Sequence, residues 1–103
     1  MTRRACRRDA NHAPIVNTFR QMGCTVYETD RVGEGFPDAV VGLLGVSHLI
    51  EIKNPATHYG RGGLNKTQSA FAAEWRGSPV TVITSEDEAM AFVRNLRRGA
   101  PYP

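Results

Sequence analysis

The chain has 103 residues, 41% of them hydrophobic and 22% charged, with a formal net charge of +3. That is one domain with a modest core, and no apolar run approaches the ~18 residues of a membrane span. The basic N-terminus is followed by no apolar h-region, so a cytoplasmic protein is expected rather than a secreted one. Cys6 and Cys24 share no metal-ligand spacing and read as reduced thiols, which excludes a disulfide framework.

Residues 1–8 carry Arg3, Arg4, Arg7 and Arg8 and read as a flexible basic arm, either a solvated terminus or a set of phosphate contacts. Helical spacing begins at Asn11, where Ile15, Val16, Phe19 and Met22 make one apolar stripe. Asn11 or Asp9 can cap its start, and Gly23 suits its end. Cys24–Thr29 is rich in β-branched and aromatic residues and reads as a first strand. The glycine-punctuated loop 30–37, which contains Arg31 and Glu34, leads into Asp38.

Two apolar runs follow, joined by a tight link at Leu44-Gly45. Beyond Lys53, loop 54–63 contains His58, Tyr59 and Arg61 and serves as a connector or as a nucleic-acid contact. A second helix spans Asn65–Arg76 with Phe71, Ala72 and Trp75 on its stripe. Gln68 shares that stripe, either as the N3 residue of a capping box begun by Asn65 or as a residue pointing into a cleft beside Lys53. Val80–Ile83 makes a fourth strand. Ser85 then opens a third helix with a capping box and an acidic first turn, and Arg94, Arg97 and Arg98 end it in accord with the helix dipole. The order α-β-β-β-α-β-α predicts helices over a mixed four-stranded sheet, a compact α/β sandwich.

The chemistry concentrates in the hairpin. Side chains alternate faces along a strand, so Glu51 and Lys53 share one face while Ile50 and Ile52 share the other. A turn at Leu44-Gly45 sets Asp38 opposite Glu51, with Cβ atoms about 4.5–5.5 Å apart, where like charges repel. The same register puts Ala39, Val41 and Leu43 on the face of Ile50 and Ile52, and a slip by one residue would turn a carboxylate into that apolar face. Two opposed carboxylates call for a cation, and hard oxygen ligands suit Mg²⁺ or Mn²⁺ rather than zinc. With Lys53 alongside to orient or deprotonate a water, the set fits phosphodiester hydrolysis. No nucleophilic Ser or Cys pairs with a His, and His12, His48 and His58 show no shared spacing.

Pro37-Asp38, Glu51-Ile52-Lys53 and a helical Gln68, in this element order, resemble the PD-(D/E)xK nuclease superfamily. Within it the chain is most similar to the small stand-alone VRR-NUC branch of phages and bacteria, akin to Holliday-junction resolvases. The likeness runs from about Arg8 to Val93 and takes in Arg8-Asp9-Ala10-Asn11, Arg31-Val32-Gly33 and the stretch from Leu64 to Glu74-Trp75-Arg76-Gly77. The resemblance implies a restriction-endonuclease-like sandwich in which Asp38, Glu51 and the backbone carbonyl of Ile52 bind the metal, Lys53 assists the water and Gln68 lines the cleft. Many relatives add a glutamate from the first helix. Helix 11–22 has no acidic residue here, which leaves Asp9 or Glu34 as substitutes. The expected function is metal-dependent, structure-selective cleavage of DNA, Holliday junctions first, by a homodimer in the host cytoplasm. Its DNA contacts would come from Arg3, Arg4, Arg7, Arg8, Arg31, Tyr59, Arg61 and Lys66. The competing expectation is a non-catalytic DNA-binding or assembly module on the same fold.

Overall fold

A computed structural model describes residues 8–99; Arg3, Arg4, Cys6 and Arg7 lie outside that range. The elements run α1 (His12–Gln21), β1 (Thr25–Glu28), β2 (Ala39–Leu43), β3 (Val46–Ile52), α2 (His58–Arg61), α3 (Lys66–Glu74), β4 (Val80–Ile83) and α4 (Glu86–Arg97). The four strands form one sheet in the order β1-β2-β3-β4, with β1–β2 and β2–β3 antiparallel and β3–β4 parallel. This is the expected α-β-β-β-α-β-α sandwich with a mixed sheet. The added element is α2, a single helical turn inside the segment expected to be loop throughout. Asn54 starts it: its carbonyl accepts from the Thr57 backbone N–H at 3.0 Å and from the Thr57 hydroxyl at 2.8 Å.

Hydrophobic alternation sets the layers. Val26, Ala39, Val41, Leu43, Ile50, Ile52 and Ile83 face one side of the sheet, where α1 supplies Ile15, Val16 and Phe19 and α4 supplies Ala89, Phe92 and Val93. Phe19 and Phe92 meet edge to face with centroids 6.3 Å apart, a favoured aromatic geometry. His48 is buried on this side, its ring also perpendicular to Phe92, and burial pushes its basicity below the ordinary value. The opposite side of the sheet carries α3. There Phe71 stacks on Trp75 at 5.0 Å and Phe36 meets both rings at steep angles. No residue of α3 is fully buried, so this second layer is thin.

The β2–β3 hairpin turns on two residues in left-handed conformation, Leu44 at φ 54° and Gly45 at φ 80°. Positive φ at both central positions is the type I′ arrangement, whose twist matches that of the flanking strands. Leu43 thus pairs with Val46 and Ala39 with Ile50, a register that, carried one step beyond the ladder, sets Asp38 across from Glu51.

Two capping expectations are corrected. Asn11 occupies the N-cap position of α1, but its side chain caps nothing; Nδ2 instead donates to the carbonyls of Lys53 at 2.9 Å and Thr84 at 3.0 Å. The helix start is closed by the Asp9 backbone carbonyl, which accepts from His12 N–H at 3.0 Å. At α4, Ser85 accepts from the Glu88 N–H as expected, while the Glu88 carboxylate reaches past Ser85 to the N–H of Thr84 at 2.7 Å. Arg94 and Arg97 lie in the last turn of α4 as expected, and Arg97 also donates to the Met22 carbonyl at the end of α1.

Candidate active site

The sheet brings Asp38, Glu51, Ile52 and Lys53 to the wall of one pocket of about 220 Å³. The loop end of β1 contributes Asp30 to that wall, and the chain entering α1 contributes Arg8, Asp9 and His12. The catalytic candidates are held by hydrogen bonds that run between elements. Asp38 Oδ2 accepts from the Ile52 N–H at 2.8 Å, which ties the entry of β2 to the exit of β3. In a strand the N–H and C=O of one residue project to the same edge, so the Ile52 carbonyl also faces the Asp38 side.

Glu51 is only 3% exposed. Burial, then the charge of Asp38, push its carboxyl up to about 8, against the opposing pull of the Lys53 ammonium. The proximity of the two carboxyls thus disfavours the ionised form of Glu51. Burial also raises the Asp38 carboxyl, partly offset by the bonds it accepts from the Ile52 N–H and from Glu51. Two buried carboxyls, each pushed up by burial, are a pair whose ionised forms a cation would stabilise.

Gln68 resolves the choice left open between helix cap and site by doing both. Its Oε1 accepts from the Asn65 N–H at 2.9 Å and its N–H donates to Asn65 Oδ1 at 2.9 Å, a complete capping box. The same Oε1 accepts from Lys53 Nζ at 2.9 Å, while Nε2 donates to Glu51 Oε2 at 2.9 Å. Lys53 Nζ lies 3.5 Å from Glu51 Oε2. The start of α3 is thus tied directly to the Glu-x-Lys face.

Of the two substitutes for a first-helix acid, Asp9 lines the pocket and Glu34 is not among its lining residues. Arg8 is anchored rather than free. Its Nε and Nη2 hold both oxygens of Asp30 at 2.7 and 3.0 Å, and Nη1 lies 3.0 Å from Glu28. Burial pushes the Asp30 carboxyl up, but the Arg8 bonds prevail and hold it below the usual carboxylate range. Arg31, Arg61 and Lys66 are exposed and line no part of this pocket, and Tyr59 falls within α2. Sequence reasoning missed His12, Asp30 and Glu28 as neighbours of the site. His12 Nε2 lies 3.0 Å from Glu28 Oε1. Its signal was available: His12 precedes Ile15, Val16 and Phe19 at helical spacing and so belongs to the inward stripe.

Among the described residues no group of three or more His, Cys, Asp or Glu side chains is arranged to hold a metal ion. The carboxyl pair with a backbone carbonyl still fits Mg²⁺ or Mn²⁺, which use one or two carboxylates and keep several waters. No family model, curated protein or solved structure matches the chain.

Proposed function

We propose that this chain is a divalent-metal-dependent endodeoxyribonuclease of the PD-(D/E)xK type, of the VRR-NUC branch, acting on branched DNA such as Holliday junctions. The observation that carries the proposal is geometric: Asp38, held by the Ile52 N–H, lines one pocket with buried Glu51 and Lys53, and Gln68 joins Glu51 to Lys53. A carboxyl pair buried against itself costs stability unless it serves something else. A cation and a phosphate are the partners that this charge pattern suits.

Asp38, Glu51 and the Ile52 carbonyl would hold the metal. When bound, Mg²⁺ or Mn²⁺ supplies Lewis-acid polarisation of the scissile phosphate and neutralises its charge. Lys53 presents an ammonium fixed by Gln68, placed to stabilise negative charge developing on the phosphate oxygens. Gln68 positions both Lys53 and Glu51, and its own orientation is fixed by the capping box. Arg31, Arg61 and Lys66 are exposed donors for phosphates flanking the cut. Symmetric cutting of a two-fold junction needs two sites, so the acting species is a homodimer.

The test is cleavage of labelled four-way junction, duplex and single-stranded DNA in Mg²⁺, Mn²⁺ or EDTA, with Asp38→Asn and Lys53→Ala beside the wild type. Metal-dependent cutting of the junction, lost in both variants, is expected. Cutting in EDTA, or full activity in both variants, removes the proposed site. Binding without cutting in every metal condition replaces the enzyme with a DNA-binding module.

A further inference from the structure

We infer that Asn11 is a positioning residue of this site: its amide fixes the backbone of Lys53 and so holds the Lys53 ammonium at Gln68 and Glu51. The effect on cleavage rests on the nuclease reading above, while the placement of Lys53 is measurable without DNA.

The strand ends create the need. β3 and β4 run parallel, and just past their last paired residues the Lys53 N–H donates to the Ile83 carbonyl at 3.1 Å. There the chains part. Lys53 leads into the turn that starts α2, and Thr84 leads into Ser85, the N-cap of α4. The carbonyls of Lys53 and Thr84 both lie beyond the paired residues. Asn11 Nδ2 donates to each of them, at 2.9 and 3.0 Å. With its N–H on Ile83 and its carbonyl on Asn11, Lys53 is pinned on both sides of its Cα. From that fixed point the side chain, 12% exposed, reaches Gln68 Oε1 at 2.9 Å and lies 3.5 Å from Glu51 Oε2.

The choice of residue agrees with this role. An asparagine N-cap accepts from the N–H of the second or third helical residue. The third residue of α1 is Pro14, which has no N–H, and no side-chain cap bond forms. Asn11 Oδ1 is left buried without a hydrogen-bond partner. An orphaned buried acceptor is unfavourable, so the amide serves here through its nitrogen. Two carbonyls side by side call for two donors on one atom. An ionised aspartate has none and a serine hydroxyl has one.

Lys53 and Lys66 are the only lysines of the chain, and Lys66 is exposed at the start of α3. The experiment is competitive acetylation of the two amines in EDTA, well below the unfolding temperature, read by peptide mass spectrometry with Lys66 as the internal standard. Asn11→Ala and the near-isosteric Asn11→Asp are each expected to raise the Lys53-to-Lys66 labelling ratio roughly fivefold, as local opening frees the Lys53 amine. Phe19→Leu weakens the α1 core without touching Lys53 and should leave the ratio at its wild-type value. A ratio unchanged in the Asn11 variants, or raised equally by Phe19→Leu, overturns the inference. So does a ratio raised by Asn11→Ala but not by Asn11→Asp, because aspartate replaces asparagine as a cap and not as a donor. On four-way junction in Mg²⁺, Asn11→Ala should lower kcat about tenfold with KM unchanged. An unchanged kcat in a variant whose Lys53 labelling has risen overturns the link from placement to catalysis. A wild type that never cuts overturns the nuclease reading, and the labelling ratio still decides whether Asn11 places Lys53.

Discussion

Glu51 lies among three neighbours that act on its proton in different ways: Asp38 holds it on, Lys53 pulls it off, and Gln68 donates to the carboxyl from the side. Its carboxyl moves from 4.5 to about 8 on folding without metal. Between those values the folded chain holds a proton that the unfolded chain releases. The Glu51 contribution to stability is therefore fully present below 4.5 and is lost as pH rises through about 8. Glu51→Gln removes that dependence. Its amide can donate to Asp38 and accept from Gln68 and Lys53, so the neighbours keep their partners. Urea denaturation in EDTA is expected to show the variant gaining on the wild type between pH 5 and pH 8. A constant difference across that range would mean that Glu51 is ionised throughout. The gain in stability accompanies loss of cleavage, because the variant gives up the proposed metal ligand.

At the scale of elements, α3 is held to the sheet by few contacts, and those contacts coincide with the site. Gly35, at φ 83°, runs so close to α3 that an added Cβ would meet the Thr67 carbonyl oxygen at 2.5 Å. Gly35→Ala would push the start of α3 outward and lift Gln68 from Glu51 and Lys53. Junction cleavage is expected to fall at least tenfold while far-ultraviolet dichroism stays native; full activity would show that α3 can shift without consequence. Gln68→Ala removes the side-chain half of the capping box and the link between Glu51 and Lys53, while the backbone N–H of residue 68 still donates to Asn65 Oδ1. One net hydrogen bond is worth about 1 kcal/mol, so with three side-chain bonds lost chemical denaturation should show a drop of that order or more. Gln68→Glu separates the roles: it keeps the cap acceptor but adds a negative charge beside Glu51, and should spare stability more than cleavage. At the hairpin tip, Leu44 is 66% exposed in a left-handed conformation that Asn adopts at less cost. Leu44→Asn should raise stability by about 1 kcal/mol without affecting the site at the other end of the strands.

For the whole molecule, the sheet is covered unequally. α1 and α4 bury one face completely, whereas the side bearing α3 leaves Tyr27 80%, Trp75 43% and Val82 36% exposed. Among the described residues no helix is long and apolar enough to cross a membrane. The proposed homodimer should sediment as a dimer at micromolar concentration, and both strands of a junction should be cut within one binding event. A monomer with and without DNA would leave room only for single nicks.

Local sequence patterns specify the four strands, the three longer helices and the shared face of Asp38, Glu51 and Lys53, though not the single turn α2. Those follow from short-range rules: period-two alternation, helical spacing, and a two-residue turn that admits a single register without burying a carboxylate in the core. Tertiary structure alone decided which distant groups meet them. Arg8, Asp9, His12 and Asp30 come from either side of α1 and β1, and no local pattern encodes their approach to β3. Asn11 reads locally as a helix cap, yet folding spends its side chain on two carbonyls, 42 and 73 residues away. Gln68 shows the same limit in milder form. Its capping box is legible over three residues, but its bonds to Glu51 and Lys53 exist only because α3 lies across the sheet. What local rules leave undecided is the packing of one element on another, and here that packing sets the charge balance of the pocket.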